Sequence, residues 1–182
     1  MRKMILATLA AGLFATAAYA GMNPTVGGSE MFPEKNIVEN AMNSKDHTML
    51  VAAVAAAGLV DTLKSAGPFT VFAPTNDAFA ALPAGTVDGL LKPEMKDTLV
   101  KVLTCHVVPA AAMAADVAKM IADGSGMAKI KTVGGCELTA KVDGDKVMIM
   151  DENGGAATVT VADVKQSNGV IHVIDKVLLP KS

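Results

Sequence analysis

The sequence predicts a single α+β domain, with helices gathered in its first half and short strands in its second. Three observations point there. Apolar residues recur at helical spacing through much of the stretch from Ile37 to Ala122, and from Met127 onward they alternate in short runs parted by Asp-Gly and Asn-Gly turns. No internal repeat or low-complexity linker divides the chain.

Residues 1–20 stand apart from that domain. Arg2 and Lys3 precede an uncharged apolar run from Met4 to Ala18, and Ala18-Tyr19-Ala20 has the small-x-small form that signal peptidases cut. The stretch is read as a cleavable export signal, too short for a span, which needs about 20 apolar residues. Gly21 follows it rather than Cys, so a lipid anchor has no acceptor there. Residues 21–34 read as a flexible leader and 35–182 as the domain, with the product soluble in a periplasm or outside the cell. No integral membrane span is expected in it.

Within the domain, Pro33 suits a first helical turn, after which Ile37, Val38 and Ala41 fall on one side. Asp46 is placed to cap a second helix carrying Leu50, Val51, Val54 and Ala57, ended by Gly58. The run Met49–Val60 holds no charge and has the length of a core helix. Gly67-Pro68 breaks the pattern, Phe69–Ala73 reads as a strand, and Asn76-Asp77 reads as the cap of a short helix reaching Leu82. Met95, Leu99, Val102 and Leu103 form a further helical stripe; Thr104–Val108 reads as strand and Ala110–Ala122 as helix. Leu138, Ala140 and Val142 alternate with polar neighbours before the Asp143-Gly144 turn and Lys146–Met150. Ala157–Val164, Val170–Ile174 and Val177–Leu179 read as the last strands.

Charge and cysteine content narrow the function. The chain carries 16 basic and 18 acidic residues, and without the leader's Arg2 and Lys3 its net charge is about −4. With no basic cluster, nucleic acid is not an expected partner, nor is electrostatic docking on anionic lipid. The only cysteines, Cys105 and Cys136, lie in a chain bound for an oxidising compartment, which favours a disulfide over two buried free thiols.

Two long segments carry a family resemblance. Gly67-Pro68-Phe69-Thr70-Val71-Phe72-Ala73-Pro74-Thr75-Asn76-Asp77-Ala78-Phe79 resembles the first signature of the fasciclin domain, and Ser167-Asn168-Gly169-Val170-Ile171-His172-Val173-Ile174-Asp175-Lys176-Val177-Leu178-Leu179-Pro180 its closing one. Leu103–Val108 occupies the place of the family's Tyr-His element, where His106 matches and Cys105 stands for the tyrosine. The resemblance covers about residues 35–180, and the chain is similar to short secreted bacterial members. It implies a bent β-sandwich or wedge with a layer of helices, and a non-catalytic role in adhesion or protein interaction. Thr75, Asn76, Asp77, His106, Asn168 and His172 are the motif residues it singles out, as structural or interacting groups. The departure from the family's tyrosine has a physical reading: Cys105, in a middle strand, and Cys136, at a later strand start, are expected to staple the sandwich where the tyrosine would pack.

Candidate chemistry weighs lightly beside this. Cys105 and His106 are a tempting nucleophile and base, but as neighbours on a strand they would face opposite ways. His106 is expected instead to hydrogen-bond near the Asn76-Asp77 turn. His47, His106 and His172 share no metal-ligand spacing, and Asp143–Asp145 and Asp151–Gly154 lack a full calcium-loop pattern. The Gly pairs sit in no phosphate loop, and no cofactor is expected. Met148 and Met150 are expected on one strand face, in core or interface. The sequence thus leads to a binding or adhesion module with a protein or cell-surface partner, its oligomeric state open. The alternative is a binder of a small apolar ligand or lipid, with a pocket between sheet and helices.

Overall fold

The computed structural model describes residues 23–181, so the proposed export signal lies outside the described residues. Regular structure begins earlier than the sequence indicates, with a hairpin of β1 (Thr25–Val26) and β2 (Ser29–Glu30) in the leader. Val26 and Met31 are buried there against the helices. Local polarity concealed this, because long-range contacts hold the segment: the two buried side chains and the Lys45 amide, which donates to the Gly27 carbonyl.

Helices α1 (Ile37–Asn43), α2 (Thr48–Ala57) and α3 (Val60–Lys64) follow. Pro33 lies ahead of α1. The helix instead starts with a reciprocal cap, in which Asn36 accepts from the Glu39 amide and Glu39 accepts from the Asn36 amide. Asp46 lies in a short 3-10 turn and does not cap α2. The sidechain oxygen that accepts from the Met49 amide, at 3.0 Å, comes from Asn76. Gly58 ends α2 in the left-handed region, as its C-terminal position favours.

Strand β3 (Phe69–Pro74) leads into α4 (Asn76–Ala80), α5 (Thr86–Leu90) and α6 (Lys96–Thr104). Beyond α6 come β4 (Val107–Val108), α7 (Ala114–Asp123), β5 (Met127–Lys131), β6 (Glu137–Asp143), β7 (Lys146–Met150), β8 (Ala156–Gln166) and β9 (Gly169–Ile174). Val177–Leu179, expected as a strand, is irregular: Val177 and Leu178 are buried by packing rather than by ladder bonds. Thr104–His106 likewise belongs to the end of α6 rather than to a strand, since the amides of Cys105 and His106 still bond back to Lys101 and Leu103.

Seven strands form one sheet in the order β4-β3-β9-β8-β7-β6-β5, antiparallel throughout except for the β3/β9 pair. β8 bends it. Its first residues pair with β7 and its later ones with β9, and two register shifts between Val159 and Val164 break the ladder. Asp163, at φ 60°, sits in that break. The bend folds the sheet into a wedge with two cores. Val71, Ala73, Ile171 and Val173 face the helices, while Phe72 and Ile174 face inward with Leu138, Ala140, Ile149 and Ala157 beneath α7. Alternation along β3 and β9 thereby serves both cores, which explains why these strands are buried almost end to end.

Candidate functional site

The two signature segments meet in the centre of the molecule. β3 and β9 run parallel with Phe69 opposite Gly169 and Pro74 opposite Ile174, and Phe72 stacks on His172 at 5.8 Å between ring centres. A Cβ at Gly169 would collide with the Phe69 carbonyl, and one at Gly67 with the Asn168 carbonyl. The backbones can approach this closely only with glycine at both places.

The polar residues of those segments serve the fold. Asn168 accepts from the Ile37 amide at the start of α1 and donates to the carbonyls of Leu63 and Ser65 at the end of α3. Thr75 caps α4 through Ala78. Asn76, expected to cap that same helix, instead holds α2 and the preceding turn through Met49, Lys45 and Thr48. Asp77 stays exposed in the first turn of α4, beside its positive end. A buried Asn40, bonded to Phe32 and to the Gln166 side chain, was not anticipated; no local signal distinguishes it from a surface asparagine.

The histidines are occupied as well. His106 does not reach the Asn76-Asp77 turn: its Nδ1 donates to the Val102 carbonyl at 2.8 Å and its Nε2 accepts from the Leu178 amide at 2.9 Å. Burial drives its pKa down to about 4, so the neutral ring is the one the fold holds. His172 Nδ1 accepts from the Asp163 amide and Nε2 donates to the Ala112 carbonyl. His47 accepts from the Ser44 hydroxyl and faces the Ala73 carbonyl. Burial lowers both of these as well.

Cys105 and Cys136 are joined, with Cα atoms 5.4 Å apart. The bridge runs from the end of α6 to the residue before β6 rather than between two strands. Around it the tip of the β5–β6 hairpin docks by backbone bonds, Val133 to Val107 and Gly134 to Thr104. A bridged Cys105 offers no thiolate to His106, whose nitrogens are both engaged.

The Asp151–Gly154 turn also binds protein. Asp151 accepts from the amides of Asn153, Gly155 and Leu179, and Glu152 from those of Glu137 and Lys181, tying down the C-terminal segment. Among the described residues no three His, Cys, Asp or Glu side chains are placed to hold a metal ion. Met148 and Met150 share a half-buried face opposite the buried Ile149.

An apolar cavity of about 250 Å³ lies between α1, α2 and α3 on one side and β3, β8 and β9 on the other. Leu50, Val54, Leu63, Val71, Val164 and Ile171 are among its walls. Its rim carries Met42, Ala55 and Lys64, all exposed. The sequence named no residue as its lining, although the uncharged Met49–Val60 run was a usable signal. A helix with no charged face, yet with Ala52, Ala55 and Ala56 at the surface, lacks the usual polar exterior.

Comparison with known proteins agrees with the motifs. The fasciclin domain family matches residues 45–180. The chain is 54% identical over 144 residues to Protein sll1483 of Synechocystis, covering 79% of this chain and 73% of that one. It is 35% identical over 170 residues to the cell surface glycolipoprotein MPB83 of Mycobacterium bovis, covering 90% and 70%. In three dimensions it is similar, with a TM-score of 0.69 and 19% identity, to a FAS1 domain pair from the insect cell adhesion molecule Fasciclin I. The match covers 80% of this chain and about half (51%) of that pair.

Proposed function

The chain belongs to the fasciclin domain family, and from that premise we propose that it is an exported, non-catalytic binding module whose ligand is a small apolar molecule held between helices and sheet. The cavity carries this reading. At about 250 Å³ it exceeds the ~150 Å³ apolar cavity that accepts benzene and approaches the roughly 300 Å³ at which drug-sized sites begin. The motif residues support it indirectly, because their polar side chains are engaged with partners within the fold and leave the cavity walls mostly aliphatic.

Titration with octan-1-ol, followed by methyl NMR, tests the reading. Shifts concentrated at Leu50, Val54, Leu63 and Ile171 are expected; shifts confined to the surface, or none, would refute it. Export is tested separately by the N-terminus of the protein recovered from its host, expected at Gly21.

A second reading is favoured by the family and by the insect neighbour, which is a cell adhesion molecule. Here the domain docks on a protein or cell-surface partner, and exposed Met42, Met120, Met127 and Val142 supply apolar contact. Crosslinking in intact cells separates the two, since a ligand carrier without such a partner yields no discrete adduct.

A further inference from the structure

We infer that the cavity takes a single unbranched acyl chain with a carboxylate head, the chain inward and the head at Lys64. This rests on the cavity reading above and specifies its ligand class. Among the described residues the lining contains no Phe, Tyr or Trp, only aliphatic and methionine side chains apart from Ser44, Lys64 and the two imidazoles. Such walls offer dispersion contacts but almost no ring face on which an aromatic ligand could stack.

The polar groups inside are already engaged. Ser44 and His47 bond to each other, His47 also faces the Ala73 carbonyl, and both nitrogens of His106 are used. A ligand head carried inward would lose its hydration without gaining a partner, at a cost that excludes a buried carboxylate. The head therefore stays at the rim.

Lys64 sets its charge. It is the one lysine or arginine among the described lining residues, it ends α3, and it is exposed. Among the described residues the ion pairs are Lys119–Asp123 and Lys129–Glu137, so Lys64 belongs to neither. Among the described residues the lining contains no Asp or Glu to compete for it. An aliphatic slot with exposed Lys64 in its wall complements an anionic amphiphile, and the volume suits one chain rather than two.

Calorimetric titration of the full mature domain with octanoate, octan-1-ol and naphthalene tests this, using wild type and Lys64→Met. Octanoate is expected to bind wild type about fivefold more tightly than Lys64→Met, the scale of one exposed ion pair. That difference should shrink in high salt, where exposed pairs are screened. Octan-1-ol should bind both proteins equally. Unchanged octanoate affinity in Lys64→Met, with octan-1-ol still bound, would overturn the head-group assignment and leave the cavity reading standing. Tighter binding of naphthalene than of octan-1-ol would overturn the chain assignment. Failure of all three ligands to bind wild type would instead remove the cavity reading itself. Lys64 is exposed, so circular dichroism and the thermal midpoint of the variant should match wild type.

Discussion

The two cores of this domain are packed differently although they share strands β3 and β9. Inside the wedge the void beneath α7 is about 10 Å³, whereas the helical side keeps about 250 Å³. Ladder register accounts for the first. Ala128, Ala140, Ile149 and Ala157 are successive cross-strand neighbours, so one large side chain is set among three small ones at spacings that hydrogen bonds dictate. On the other side the helices are held by their ends. Asn168 ties α1 to α3, and Asn76 holds the start of α2, so polar ties at the helix ends act beside side-chain packing in setting the helix spacing. Positioned from its ends, a helix layer can leave room that a sheet cannot.

The largest test of this contrast is Ile149→Ala. It removes the bulky member of a fully buried row and should cost about 4 kcal/mol in urea unfolding; a loss under about 1 kcal/mol would show that the wedge is loosely packed. Replacing Cys105 and Cys136 together by Ala should cost about 3 kcal/mol through the freed unfolded chain. The same variant should raise amide exchange at the 132–136 hairpin tip, and unchanged exchange there would show that backbone docking suffices.

Acid should bear on the junction between the cores, where His106 touches both. In the unfolded chain its pKa lies near 6.5 and in the fold near 4, so the unfolded state takes up the proton first. Stability is full above about pH 6.5, falls as pH drops toward 4, and loses up to about 3 kcal/mol from this group. His47 and His172, lowered in the same direction, add to the fall. Urea midpoints measured across that range check it, and a flat profile would contradict the neutral buried ring.

Asn168→Ala should cost about 2 kcal/mol, because it strands the Ile37 amide and two carbonyls. If the polar ties set the helix spacing, the same change should also weaken octan-1-ol binding. The smallest effect sharpens the comparison most directly. Ala140→Val adds volume to the packed wedge and should cost about 1 kcal/mol or more. Val54→Ile adds volume beside the cavity and should be neutral or gain up to about 0.8 kcal/mol. Equal effects from the two would erase the distinction between the cores.

The α+β class, β3, α2, the core of α6 and the β6–β7 hairpin were legible in the sequence, since each is specified by its own periodicity and turn residues. So was the family, because β3 and β9 pair along their whole length and both faces of each strand must be apolar. What the tertiary structure alone decided were groups acting at a distance. Asn76 reads as a local cap but serves another helix, His106 bonds a C-terminal amide 72 residues away, and the cysteines bridge a helix end rather than two strands. The cavity belongs to the same class. A volume between a helix layer and a sheet is a difference between two surfaces: the uncharged Met49–Val60 run hints at an apolar wall, but only the packed layers set the space it encloses.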